Sequence, residues 1–393
     1  MKLCYVGYAV DASNKKYKGI SIAGNKMQRG ILTGFSKIDE CQIESISIPP
    51  YASYPNNEFY VNSKEGYLGD VKNIEISFIN VPVLKQLNQA FSIFRTLLSK
   101  RNELDEVLCF NAYFPIALPV LLFSFIFKKP TTAFIADVPL DDNKNRPIAS
   151  KYIYTLFFII SKFLLSKFKK VVVLNEEAAF KFCPNASYIV VEGGIDLFEK
   201  DNSVESIVRS AKTSKIVVYT GALTDYSGIK SLVNAFEHLE GEDVELHVYG
   251  GGYLKNWMVE VVKTRPNVIY KGNVDNLTAI NAQKNAWLLV NPRVISDEIS
   301  NYTFPSKLLE YMQSGTAVLT TNISGITEEY KSAIYITEDD TAVGFAKAIQ
   351  GVLKEKDETF NTMQTNSLRV VKSKSWSLQA KKIFTFLKSE DGV

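Results

Sequence analysis

The chain begins the same structural plan twice, and that repetition limits its folding more than any other feature. Lys2-Leu-Cys-Tyr-Val-Gly is an apolar run followed by a loop of small residues, Gly19-Ile-Ser-Ile-Ala-Gly24-Asn-Lys, and a helix predicted from about Met27. Lys215-Ile-Val-Val-Tyr-Thr-Gly221 repeats it, through the loop Ala222 to Gly228 into a helix over Ile229 to Leu239. Short apolar runs that each feed a helix read as buried strands of a parallel sheet. A chain of 393 residues is also too long for one ordinary core. The expected fold class is α/β, with two doubly wound Rossmann-like domains whose strand ends face a central cleft.

Further strands are predicted in the first half near Glu44 to Ile48, Val107 to Phe110, Thr132 to Ile135, Lys170 to Leu174 and Tyr188 to Val191. Helices are predicted around Val83 to Arg101, Ile116 to Phe127 and Ile148 to Ser166. The second half continues with strands near Glu245 to Tyr249, Val268 to Tyr270, Trp287 to Asn291, Ala317 to Thr320 and Ala333 to Ile336, and helices between them. A first domain over 1–198, a polar linker over 199–214, a second domain over 215–372 and a last helix within 373–393 are the expected divisions.

Composition removes several function classes. Lys and Arg number 45 against 42 Asp and Glu, and this near balance gives no case for nucleic acid as a partner. Cys4, Cys41, Cys109 and Cys183 lack metal-ligand spacing and suit a reducing compartment. Only His238 and His247 are present, so no zinc site is expected. Leu3 to Val10 reads as a first strand rather than a secretory leader, so a cytoplasmic location is expected. The apolar runs Ile116 to Phe127 and Tyr152 to Phe168 fall short of the roughly 20 apolar residues that span a bilayer.

The segment from Leu288 to Leu319 carries the clearest chemistry. An apolar strand ends on Arg293, a polar loop runs to Asn301, and a helix opens at Pro305 with Lys307 and Glu310 on one face. Helix N-termini and cations together favour phosphate, each charge-assisted hydrogen bond adding roughly 1.5–3 kcal/mol. Glu310 cannot pair with phosphate and suits sugar hydroxyls. The plainer alternatives are a surface arginine and solvated helix residues.

Taken in order, the motifs are similar to the donor domain of the retaining, nucleotide-sugar-dependent glycosyltransferases of family 4, which have the GT-B fold. The matching pieces are Tyr219-Thr-Gly221 with Gly228-Ile-Lys, His247-Val-Tyr-Gly-Gly-Gly252, Asn267-Val-Ile-Tyr-Lys-Gly272, and the block from Asn291-Pro-Arg293 to Gly315. Gly193-Gly-Ile-Asp196 resembles the family's first-domain ending, and the Ser375-Trp376 helix the one that crosses back onto that domain. The resemblance implies transfer of a hexose-type sugar, with retention, from a UDP-sugar to a glycan or lipid-linked glycan, as in surface polysaccharide synthesis. It implies no metal and no cofactor beyond the nucleotide sugar itself.

By the same resemblance, Gly24, Gly221, Gly250 and Gly251 approach the donor, the base rests near Val274, and Glu310 holds the ribose. Asn301, Tyr302, Thr303 and Phe304 take the ground before the helix. Asp137, just past a strand, faces the donor sugar or activates the acceptor. The chain departs from the family in two places. Tyr302 stands where the first Glu of a Glu-x7-Glu motif is usual, and Ala222 and Ser227 replace the usual Arg and Lys after the first strand. Arg293 and Lys307 are the expected substitutes. A catalytically silent nucleotide-sugar-binding subunit and a nucleotide-sugar 2-epimerase are the competing readings.

Two features lie outside the donor site. Asp141-Asp142 lacks an Asp-x-Asp context and reads as a solvated turn. The aromatic, lysine-bearing helix from Lys151 to Lys170, with Lys128 and Lys129, suggests a peripheral surface for anionic lipid; its alternative is a buried packing helix.

Overall fold

The computed structural model describes residues 1–14, 16–139, 148–196, 215–239 and 241–389, with side chains undescribed at 148–151, 153 and 154. The expected linker and Asp141-Asp142 lie outside the described residues. The chain divides into two compact units, Met1–Asp196 with Ser375–Val393, and Leu197–Lys374.

In the first unit the strands are β1 (Lys2–Gly7), β2 (Gln42–Ser47), β3 (Tyr60–Val61), β4 (Lys64–Leu68), β5 (Val71–Glu75), β6 (Phe78–Ile79), β7 (Glu106–Phe110), β8 (Thr131–Ile135), β9 (Lys170–Val173) and β10 (Ser187–Val190). The helices are α1 (Ile22–Ser36), α2 (Leu84–Ser99), α3 (Phe114–Phe127), α4 (Ile148–Leu165) and α5 (Glu176–Phe182). The main sheet runs β10-β9-β8-β7-β1-β2-β5-β4 and is parallel except for the β4–β5 hairpin. Central β1 has Leu3, Cys4, Tyr5 and Val6 fully buried, as a strand covered on both faces requires. Right-handed crossovers put α1 on one face of this sheet and α2, α3 and α4 on the other.

One expectation for this unit is corrected. Helix α1 starts at Ile22, not near Met27, because the Ser21 hydroxyl accepts the Gly24 amide at 3.2 Å and caps the helix. Asn25, inside that first turn, exchanges bonds with the Val10 backbone at 2.9 and 3.1 Å and anchors the β1 loop. Small residues before a helix had read as loop; here they are its first turn. The β4–β5 hairpin and α5 were not anticipated.

The second unit has β11 (Lys215–Thr220), β12 (Val244–Tyr249), β13 (Val268–Gly272), β14 (Leu288–Asn291), β15 (Ala317–Thr321) and β16 (Tyr335–Thr337). Its helices are α6 (Ile229–Ala235), α7 (Lys255–Val261), α8 (Asn276–Asn285), α9 (Ser306–Gln313), α10 (Glu328–Lys331), α11 (Ala342–Leu353) and α12 (Asp357–Ser373). The sheet order β13-β12-β11-β14-β15-β16 is parallel throughout. Order reverses beside β11, the first strand, which is the switch point where such sheets bind ligands. Helix α12 was unforeseen because its mostly polar run offers only Phe360, Val370 and Val371 as buried apolar anchors, with Phe360 stacked on Trp287 at 5.9 Å.

The last helix, α13 (Trp376–Lys388), packs on α1 within the first unit. Its seat is cut by glycines. A Cβ at Gly30 would sit 2.0 Å from the Trp376 indole nitrogen, and one at Gly34 2.4 Å from the Trp376 carbonyl oxygen. Trp376 N donates to the Ile195 carbonyl at 3.1 Å, tying the helix to Gly193-Gly-Ile-Asp196. Lys170 donates to the carbonyls of Phe386 and Leu387 at 3.3 and 3.2 Å, a cation meeting the negative end of the helix.

Candidate functional site

The carboxyl ends of β11, β12, β13 and β14 meet through backbone contact, and glycines allow it. Gly221 N donates to the Tyr249 carbonyl at 2.8 Å, Leu223 N to Gly251 at 2.9 Å, and Gly250 N to Gly272 at 2.8 Å. Gly250 has φ 135°, and a Cβ there would lie 1.8 Å from the Gly221 oxygen. Gly228 has φ 69°, and a Cβ would lie 1.4 Å from the Pro292 oxygen, so this glycine lets the β11 and β14 loops touch. Gly251 is different: the nearest atom to a Cβ there is Asn273 Cβ at 3.9 Å. Packing therefore demands Gly250 and Gly228 but not Gly251.

Helix α9 is bound to this cluster by Tyr311. Its buried hydroxyl accepts the Thr220 amide at 2.8 Å and donates to the Thr220 carbonyl at 3.0 Å. Gln283 of α8 donates to the Thr220 hydroxyl at 2.9 Å. Burial pushes the Tyr311 phenol up to about 12, which keeps it a neutral hydrogen-bonding post. Lys307 and Tyr311 are one helical turn apart, so the bond that fixes Tyr311 also aims Lys307.

Lys307 Nζ lies at the end of β11. A Cβ at Gly221 would be 1.9 Å from it, so the glycine vacates the space the ammonium fills. The same ammonium sits 5.4 Å from the Tyr219 ring centre. Tyr219 and Gly221 are two residues apart along an extended strand and share a side. Burial pushes the Lys307 amine down to about 8, Glu310 works in the opposite direction, and Arg293 lowers it further. Arg293 extends from the β14 loop with its guanidinium 5.3 Å from the Tyr226 ring centre. Its Nε is buried without a hydrogen-bond partner, and burial lowers its pKa as well. Two half-buried, partly desolvated cations thus influence each other across one loop cluster, in which Tyr219 and Tyr226 supply aromatic faces.

The remaining second-unit candidates separate by position. Glu310 is half-buried one turn beyond Lys307. Phe304 is buried against Tyr330 at 5.2 Å, and the buried Thr303 hydroxyl donates to the Ile299 carbonyl at 2.9 Å, so both side chains serve the loop's own structure. Asn301 is exposed and Tyr302 half-buried, at the end of a short 3-10 turn over Glu298–Asn301 that Asp297 caps at 2.9 Å. Val274 is half-buried between Gly272 and Asp275, the cap of α8. His247 meets Glu245 at 3.1 Å.

In the first unit, Gly24 lies in the first turn of α1 rather than in a loop. Asp137 follows β8 and is gripped by Asn111, a residue the sequence reading did not single out. Asn111 donates to the Asp137 carboxylate at 3.0 Å and accepts the amides of Ala136 and Asp137 at 2.8 and 3.0 Å. Asn111 holds φ 51°, a left-handed conformation that Asn tolerates better than most side chains. Burial raises the Asp137 pKa and the Asn111 hydrogen bond opposes the shift. Tyr113 is held neutral by burial and by Asp137. Among the described residues no three His, Cys, Asp or Glu side chains gather as a metal site.

The comparisons with known proteins bear on both units. Residues 214–355 match the profile of the family described as glycosyl transferases group 1. Sucrose-phosphate synthase from Thermosynechococcus elongatus has the same fold at TM-score 0.67 and 13% identity, with 98% of each chain covered. Anabaena HepE, in complex with UDP, matches at TM-score 0.67 and 14% identity over 99% of this chain and 100% of that one. A glycosyltransferase from Rickettsia africae ESF-5 matches at TM-score 0.65 and 17% identity over 98% and 97%. No curated protein matches the sequence significantly. The fold is GT-B, with two Rossmann-like domains. Its second unit is a group 1 glycosyltransferase domain, as the ordered motifs implied.

Proposed function

We propose that this protein is a retaining glycosyltransferase that moves a hexose-type sugar from a UDP-sugar to a hydroxyl of a glycan or lipid-linked glycan. The observation that carries the reading is the placement of Lys307 and Arg293. Both are half-buried, partly desolvated cations at the carboxyl ends of β11 and β14, beside a glycine whose missing side chain admits the ammonium. Such groups are poised to gain from an anion and cost free energy without one. In this reading they hold the donor diphosphate and offset the charge that develops on it as the sugar leaves. They take over from the Arg and Lys that Ala222 and Ser227 displace.

Glu310 binds the ribose hydroxyls one turn further along α9. Gly251, with no packing reason to lack a side chain, gives the nucleotide close backbone approach, and the base lies near Val274. Asn301 and Tyr302 contact the donor sugar where the family usually has a Glu. Asp137, oriented by Asn111, contacts sugar or acceptor, and the leaving diphosphate oxygen assists loss of the acceptor proton. No metal takes part. Uridine as the base is supported by Anabaena HepE of the same fold, whose structures hold UDP, UDP with glucose, and UDP-glucose. Surface polysaccharide synthesis is the proposed setting.

Tyr302 in place of the usual Glu favours one second reading, a subunit that binds the nucleotide sugar without turnover. Incubation with UDP-glucose and analysis of the nucleotide products separates the two. Release of UDP supports a transferase; tight binding without release supports the silent subunit; sugar interconversion would make the protein an epimerase.

A further inference from the structure

The outer surface of α2, α3 and α4 is unlike the rest of the molecule. These helices pack side by side on one face of the first unit's sheet, and none of the three contains an Asp or Glu. Helix α3 has no charged residue at all, a composition expected of a fully buried helix. Its outward side is nevertheless open, with Phe125 85% exposed. Leu87 and Phe91 of α2 are exposed one turn apart, and Leu156, Ile159 and Phe163 form an exposed stripe along α4. Isolated apolar residues are ordinary on a surface, but exposed apolar side chains on three adjacent helices point to an interaction site.

Charge identifies the occupant. Lys128 and Lys129 follow α3, Lys162 lies in the last turn of α4, and Lys167 follows with its ammonium 4.5 Å from the Phe163 ring centre. No acidic residue occurs on the three helices to balance them. An apolar face rimmed by lysines, one of them with its ammonium over an aromatic ring, matches an anionic lipid surface, where the rings enter the acyl boundary and the ammoniums reach the headgroups. No helix among the described residues is long and apolar enough to cross a membrane, so contact is from one side.

We infer that the α2–α3–α4 face docks on an anionic membrane surface, with Phe125 and Phe163 inserted and Lys128, Lys129, Lys162 and Lys167 at the headgroups. The inference does not depend on the donor chemistry of the second unit. It accounts for an apolar, acid-free face on the outside of the first unit.

Co-sedimentation of the full chain with vesicles tests it. Binding is expected to vesicles of phosphatidylcholine and phosphatidylglycerol in equal parts, weakening as salt rises, with little binding to phosphatidylcholine alone. Replacing both Lys128 and Lys129 by Ala should weaken vesicle affinity about thirtyfold. The Phe125→Ser, Phe163→Ser double variant should also lose binding while its thermal unfolding stays cooperative. Equal binding to neutral vesicles, or unchanged affinity in both variants, overturns the inference. So does a chain that ignores vesicles but forms a dimer that Phe125→Ser dissociates, since a second copy would then be the occupant.

Discussion

The two units solve the same local problem with opposite chemistry. Each has a central parallel strand that closes at a glycine, Gly7 as the last residue of β1 and Gly221 just after β11. At each glycine a Cβ would meet other side chains: Gln28 and the Tyr5 ring at Gly7, the Lys307 ammonium and the Tyr219 phenol at Gly221. At Gly7 the intruder is neutral: Gln28 Oε1 would lie 2.5 Å from a Cβ, and it accepts the Tyr8 amide at 2.7 Å and the Tyr5 hydroxyl at 3.1 Å. At Gly221 it is the Lys307 ammonium, with Arg293 acting on it from the next loop. One strand end is therefore closed by a satisfied amide, while the other presents desolvated positive charge. The same scaffold ends in a neutral or a cationic cluster according to one side chain from a helix.

Four experiments would break or sharpen that contrast. The largest effect should come from the Arg293→Ala, Lys307→Ala double variant. If each cation makes a charge-assisted bond to diphosphate, UDP release from UDP-glucose falls about a hundredfold to ten-thousandfold. Next comes a matched pair, Gly221→Ala and Gly7→Ala. The first evicts the ammonium and should weaken UDP about tenfold, on the order of one such bond. The second should lower stability by about 1–3 kcal/mol through overpacking yet leave the UDP dissociation constant unchanged. Equal effects on UDP from both would erase the contrast.

A smaller effect is set by pH. The Lys307 amine is lowered from an ordinary 10.5 to about 8, so the folded protein loses this proton before the unfolded chain does. Between those values the unfolded state binds more protons, and this group makes the ligand-free fold more stable as pH rises. Diphosphate needs the protonated form, so UDP affinity should fall as pH climbs through about 8. Thermal unfolding and calorimetric titration across that range check both signs, and Lys307→Met should abolish both trends. The smallest effect should be that of Asn111→Ala, which removes the hydrogen bond opposing the upward shift of Asp137. Its activity profile should move to higher pH with UDP affinity unaltered.

Much of this was legible in the sequence because buried parallel strands are short apolar runs. β1, β7, β8, β9, β11, β12, β14 and β15 all fall where such runs occur. The β4–β5 hairpin was hidden by its polar edge position, and α12 by its sparse apolar stripe. Within the site, Arg293, Lys307 and Glu310 could be picked out because they bracket one strand–loop–helix segment. Tyr219 entered only as part of the Tyr219-Thr-Gly221 motif, and Tyr311 was not singled out, because its hydrogen bonds to Thr220 depend on where α9 packs. Asn111 offered no signal, since its role depends on β7 and β8 being neighbours and on a left-handed backbone that no local pattern announces.

The central claim is that Arg293 and Lys307 recognise the diphosphate rather than the nucleoside. Calorimetric titration of UDP and of uridine into the unaltered protein, Arg293→Ala and Lys307→Ala tests it most directly. Each substitution should weaken UDP by about ten- to a hundredfold while uridine affinity holds, so that the preference for UDP collapses. If both variants keep the original ratio of UDP to uridine affinity, the cations do not serve the diphosphate and the assignment of the donor site fails.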